Sequence, residues 1–235
     1  MGNNETEPRT AATVVLIRDG SQGLEVLLLK RNKALMFAGG LWVFPGGSLD
    51  PEDWDAGGDE EGAARVAAAR EAREESGLDV DADTMVQLSH WTTPEAEPKR
   101  FYTWFFLACA PASDKVTIDG SEIHEHAWLN VGEAIVQHEA GELGLLPPTI
   151  MTLRALHGYL SAEDAMIGIA ARDPYRVFPV FVVGDNGVEV LFEGDAGYDS
   201  GESLLEGAKH RACMNDGCWS YICEGLPEHA PRLDS

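Results

Sequence analysis

Basic residues are scarce in this chain. Its 17 Lys and Arg stand against 40 Asp and Glu, a formal net charge of -23 over 235 residues. A field of that sign repels nucleic acid and anionic membrane, so DNA-, RNA- and membrane-binding roles are disfavoured. It equally repels a phosphorylated substrate, unless a bound divalent cation reverses the sign locally. Long apolar runs are missing too: no stretch approaches the ~20 residues that a membrane helix needs. Met1 to Thr10 is a polar arm without the apolar segment of a secretory signal, so a soluble cytoplasmic protein is expected. Cysteine is limited to Cys109, Cys213, Cys218 and Cys223. The last three, with His210 upstream, form a C-x4-C-x4-C run. Structural zinc sites favour more closely spaced pairs, so reduced, partly buried thiols are expected there.

Apolar residues are plentiful enough, at 44%, to build a core without disulfides or structural metal. Residues 11–18 and 24–30 read as strands on either side of a turn, and 41–44 lead into Pro45-Gly46-Gly47. The acidic, glycine-containing stretch 48–61 reads as a mobile loop. Residues 63–76, dense in Ala, Arg and Glu, predict a helix that Gly77 ends. Further strands are expected at 84–91, 103–108 and 126–129, with helices at 131–139, 149–161 and 162–171. Two strands, 177–183 and 188–192, flank Gly184-Asp185-Asn186-Gly187, where Asn-Gly signals a hairpin. The expected fold class is α/β: a mixed β-sheet packed between helices, with a C-terminal helical and hairpin extension. The expected divisions are a polar arm (1–10), a catalytic domain (11–145) and an extension packed on it (146–235), which is also a candidate homodimer contact.

The segment Arg70-Glu71-Ala72-Arg73-Glu74-Glu75-Ser76-Gly77 carries the chemistry. On a helix, Glu71, Glu74 and Glu75 converge on one side. Three adjacent carboxylates repel one another unless a cation sits among them, and Mg2+ takes hard carboxylate oxygens together with substrate phosphate oxygens. Read alone, the segment also fits a solvated Ala/Glu/Arg helix with Arg70 and Glu74 as a surface pair.

Together with the preceding Phe44-Pro45-Gly46-Gly47, the segment resembles the signature of the Nudix hydrolases, G-x5-E-x7-R-E-U-x-E-E-x-G-U, where U is bulky and apolar. Arg70, Glu71, Glu74, Glu75, Gly77 and Leu78 match, and Ala72 is a small stand-in at an apolar position. The first half departs. Gly47 lies 23 residues before Arg70, about nine more than the pattern, and Gly62 stands where it has Glu. Glu60 and Glu61 are the candidates to replace it.

The resemblance implies divalent-metal-dependent hydrolysis of a diphosphate, with Glu71, Glu74 and Glu75 holding Mg2+ or Mn2+. Glu122, just before the His126–Leu129 segment, would reach the metals or act as base. Glu125, His124 and His126 are lesser candidates. Leu27, Leu28, Arg31, Gly40 and the FPGG element also resemble a motif of the Nudix 19-like coenzyme A diphosphatase branch, with Leu29, Asn32 and Met36 departing from it. That implies coenzyme A or acyl-coenzyme A as substrate. NADH, ADP-ribose or a nucleotide sugar is the alternative inside the enzyme class, and a non-catalytic binding or regulatory module lies outside it. Arg31 and Arg100 are candidate phosphate grips beside Gly46 and Gly47. Trp91, Phe101 and Trp104 are candidate pocket aromatics. Alternation places Phe101, Thr103 and Phe105 on one face and Tyr102, Trp104 and Phe106 on the other.

Overall fold

The first two strands are apolar along most of their length because layers cover both of their faces. In the computed structural model, which describes residues 7–35, 38–113, 115–184, 187–226 and 232–234, they are β1 (Arg9–Gly20) and β2 (Gly23–Arg31). Val15 and Ile17 face one core cluster, and Val14 and Leu16 face the other.

They belong to an eight-stranded mixed sheet. Its main path runs β3 (Trp42–Val43), β2, β1, β6 (Phe101–Cys109), β5 (Val86–Thr92), β8 (Tyr175–Val177). β4 (Gly46–Ser48) pairs with β1 and β7 (Ile123–Asn130) with β2. The β1/β6 and β5/β8 pairs are parallel and the rest antiparallel. On one face lies α2 (Glu60–Ser76), where Ala64, Ala67, Ala68 and Ala72 let the helix sit close to Val14 and Leu16. The other face is covered by α3 (Val131–Glu139), α4 (Pro147–Leu156) and α5 (Ala162–Ala170), with Ile135, Leu153 and Ile169 in the shared core. The expected sheet between helices is therefore present.

Two expectations need correction. The stretch 48–61 is not a loop, because Pro51–Gly57 forms α1. Pro51 occupies the first turn, where its missing N–H costs nothing, and the Asp53 carboxylate accepts from the Asp50 N–H at 2.8 Å. The expected strand 177–183 is divided. Its first part, β8, joins the main sheet, while β9 (Val180–Gly184) begins a second one, with the donor-less Pro179 between them. Finally, β9 and β10 (Gly187–Leu191) pair as the hairpin reading requires, although Asp185 and Asn186 lie outside the described residues, as does Met36. That hairpin is only half of a four-stranded sheet completed by β11 (Lys209–Asn215) and β12 (Cys218–Glu224). Asp216 and Gly217, at φ 49 and 85, make the tight turn between them. Cys213, Cys218 and Cys223 are free thiols on these strands, partly buried, and Cys109 is a free, exposed thiol. Among the described residues, no helix is long and apolar enough to cross a membrane.

His138 joins the second sheet to α3. Fully buried, it has Nδ1 2.8 Å from the Leu143 carbonyl, and its Nε2 accepts from the Trp219 N–H at 2.9 Å. Nδ1 must therefore carry the proton. His138→Leu strands both backbone groups and should cost ~1–3 kcal/mol for each in thermal unfolding. Gln offers one donor and one acceptor and should recover part of the loss. Equal melting temperatures for His138→Leu and the wild type would remove His138 as the link.

Candidate active site

Two tight approaches bring the α2 carboxylates to the sheet. Gly46 donates its N–H to Glu75 Oε2 at 3.0 Å. At Gly47, an added Cβ would overlap the Glu71 carboxylate, so a side chain there would push that carboxylate from its place. Gly47→Ala is therefore expected to displace Glu71 and lower turnover by ~10–100-fold while the protein stays folded. Activity together with a far-ultraviolet spectrum checks it, and wild-type turnover would count against this role.

Glu71, Glu75, Glu122 and Arg31 line one cavity of about 570 Å³. Arg31 NH2 lies 3.2 Å from Glu122 and NH1 3.9 Å from Glu75, and the buried Arg31 Nε has no hydrogen-bond partner among the described residues. Burial pushes the Glu75 carboxyl up to about 8. Glu71 and Glu122 add to the rise, while the Gly46 N–H and Arg31 oppose it. Burial also raises Glu71, against the pull of Arg70. These are carboxylates short of positive charge.

Arg70 points away from the cavity into an acidic clasp. It spans Asp53 through Nε at 3.2 Å and NH2 at 2.9 Å, reaches Glu71 at 2.9 Å and Glu74 at 3.2 Å, and donates to the Ser48 carbonyl. The Asp53 hydrogen bond, foremost, raises the Arg70 pKa. Asp53, only 2% exposed, escaped the sequence reading. Asp50-Pro51-x-Asp53 is a helix-start pattern that signals α1 and hence this carboxylate. Removing it with Asp53→Ala should free Arg70 and lower kcat/KM by ~10–100-fold, with KM for the nucleotide little changed. An unchanged kcat/KM would show that Arg70 needs no such anchor.

The other candidates are dispersed. Glu74 is on the exposed side of α2, its side chain 58% exposed, and does not line the cavity. Glu60 accepts from Trp104 Nε1 at 3.2 Å and Glu61 pairs with Arg65, so neither joins Glu71 and Glu75. Glu125 pairs with Lys30, and His124 and His126 are exposed on β7. Arg100 donates to the Thr93 carbonyl outside the cavity lining, where Lys99 is present instead. Phe101, Thr103 and Phe105 do share a cavity face with Trp91, whereas Trp104 packs with Phe106 on the α2 side.

Among the described residues, no group of three or more His, Cys, Asp or Glu side chains stands in a metal-holding arrangement. Mg2+ needs fewer from the protein, since one or two carboxylates plus water and substrate phosphate commonly complete its shell. Glu71 and Glu75, hard oxygen donors with raised pKa values in one wall, fit that requirement.

The family model for the Nudix domain matches residues 7–147. The chain belongs to the Nudix family. Among its relatives, a Caenorhabditis elegans protein assigned the name nudix hydrolase 7 is 26% identical over 84% of this chain and 77% of its own. The acyl-coenzyme A diphosphatase NUDT19 of Xenopus laevis is 23% identical over 58% of this chain and 38% of that longer protein. The crystal structure of a Nudix hydrolase from Alicyclobacillus acidocaldarius superposes with a TM-score of 0.63 at 28% identity, covering 69% of this chain and 96% of that one.

Proposed function

We propose that this family member hydrolyses the diphosphate linkage of a nucleoside-diphosphate derivative with Mg2+ or Mn2+. The carrying observation is the convergence of Glu71, Glu75, Glu122 and Arg31 on one cavity wall. In this reading Glu71 and Glu75 hold the cation, and Glu74, outside the cavity lining, joins them only on leaving its pairing with Arg70. The cation, when bound, neutralises charge developing on the phosphate oxygens and eases deprotonation of water. Arg31, which lines the cavity, grips a phosphate oxygen through its guanidinium. Glu122, more exposed than Glu71 and Glu75, accepts the proton of the attacking water. Gly46 and Gly47 keep the wall thin enough for the helix carboxylates to reach it. Arg70 positions Glu71 and Glu74 without entering the cavity. The catalytic unit is 11–145, and 146–235 completes its cavity and serves as the candidate homodimer contact.

Coenzyme A or an acyl ester is the second substrate reading, favoured by the apolar part of the cavity and by the likeness to the Xenopus relative. A single panel tests both. Coenzyme A, acyl-coenzyme A, NADH, ADP-ribose and nucleotide sugars are incubated with Mg2+, Mn2+ or chelator, and products are separated by chromatography. Metal-dependent release of two products, each with a terminal phosphate where the linkage was cut, is expected from at least one of them. No cleavage of any substrate with either metal would overturn the hydrolase reading, and cleavage that spares both coenzyme A substrates would remove the second.

A further inference from the structure

Glu71, Glu75 and Glu122, with Arg31, occupy one end of the cavity. Cross-strand register lays out its floor: Ser48 of β4 pairs with Ala11 of β1, Ala11 with Thr103 of β6, and Thr103 with Trp91 of β5. At ~4.8 Å per strand, those three steps carry the floor about 14 Å from Ser48 to Trp91. Glu71 and Glu75 meet β4 and so belong to the first end.

Beyond it the chemistry changes. The C-terminal sheet contributes Phe181 from β9, Val190 from β10 and Trp219 from β12 to the lining, and Val190 and Trp219 pack in the same core cluster as Trp91 and Phe105. None of the three carries a charge, and among the described residues the cations lining the cavity are Arg31, beside Glu75 and Glu122, and Lys99, accompanied by Glu97. A charged group moved against Phe181, Val190 and Trp219 would lose its water and meet no opposite charge there, the polar atom on offer being the Trp219 indole N–H. A bulky apolar group would gain by the burial.

We propose that the C-terminal sheet is the specificity wall of the site, and that the substituent it receives, on the far side of the diphosphate, is bulky and uncharged. The proposal rests on the diphosphatase reading and goes beyond it by assigning 146–235 a direct part in choosing the substrate. Phe181 is the residue to alter, because it is only partly buried and its β9 strand is outermost in the second sheet.

The experiment compares two esters of ADP on the terminal phosphate, methyl and octyl, in wild type and in Phe181→Glu, with folding checked by thermal melting. The wild type should prefer the octyl ester, and Phe181→Glu should reduce that preference on the order of tenfold through KM, with a smaller loss on the methyl ester. Equal kcat/KM for the two esters in the wild type, or equal losses on both in the variant, would overturn the proposal. Should neither ester be hydrolysed, the catalytic reading has failed on this pair. Calorimetry of the corresponding methylene-bridged esters then decides the specificity wall separately. Tighter octyl binding that Phe181→Glu weakens supports it, and equal affinity for both esters overturns it.

Discussion

Glu75→Gln should lower turnover by ~100-fold or more while leaving the melting temperature equal to or above that of the wild type. The two halves of this result have one cause. Glu75 is buried, and its carboxyl is pushed up to about 8 by that burial and by neighbouring Glu71 and Glu122. Near neutral pH the cation-free folded protein therefore keeps this carboxyl largely protonated, at a free-energy cost relative to the unfolded chain, and the neutral isostere removes that cost. Glu74→Gln is expected to act in the same direction but less strongly, because its carboxylate is exposed and tied to Arg70. Steady-state rates across a Mg2+ titration, together with melting curves, are the measurement. Near-normal turnover in both variants would remove the metal-ligand role of the helix.

The largest expected loss of stability lies far from that wall. Asp195 and Arg211 form a buried bidentate pair, Oδ1 to NH2 at 2.6 Å and Oδ2 to Nε at 2.8 Å, with side chains 0% and 5% exposed. Asp195 also accepts the N–H groups of Gly197 and His210, and Arg211 reaches Glu189 and the Ser203 carbonyl. Asp195→Ala leaves a buried guanidinium with part of its compensation gone and should cost ~3–5 kcal/mol. For a chain of this size that lowers the melting point by roughly 2–4 °C per kcal/mol. Burial works against the Asp195 charge, but the Arg211 bond and the two backbone donors outweigh it and hold the carboxyl below its ordinary value of 3.8. Its folded pKa is thus depressed, so its stabilisation is present above pH 3.8 and is lost as pH falls through the lower folded value. The Asp195→Ala variant should lack that component of acid lability. A variant within 1 kcal/mol of wild type by denaturant unfolding would show that the second sheet does not depend on this pair.

Legibility followed the range of the interactions involved. The first strands and the chemistry-bearing helix have local signals: apolar runs of strand length, alanine density, a terminal glycine. The Phe101–Cys109 strand likewise showed its two faces through simple alternation, and the face carrying Phe101, Thr103 and Phe105 is the one lining the cavity. Short elements with mixed composition fared worse. The helix Pro51–Gly57 was obscured by glycines and acidic residues that read as loop, although Asp50-Pro51 and Asp53 mark its start. The Lys209–Glu224 hairpin was obscured by a cysteine run that drew attention to metal spacing, while Asp216-Gly217 was its true turn signal.

What the sequence alone determined was the core of the chemistry. The FPGG element and REAREESGL identify the family resemblance and the helix glutamates, because the i, i+3 and i, i+4 spacing of a helix is set by local geometry. Only the tertiary structure decided which charges meet. Asp53, 17 residues before Arg70, became its buried partner, whereas Glu60 and Glu61, nearer in sequence, turned to Trp104 and Arg65. Arg31 met Glu122 across 91 residues, and Arg100 stayed outside the cavity. The C-terminal segment became a wall of the same cavity through strand pairings and packing that link residues far apart in the chain. Periodicity reports which side of an element is apolar; which partner covers that side is decided by the pairing and burial available to the whole chain.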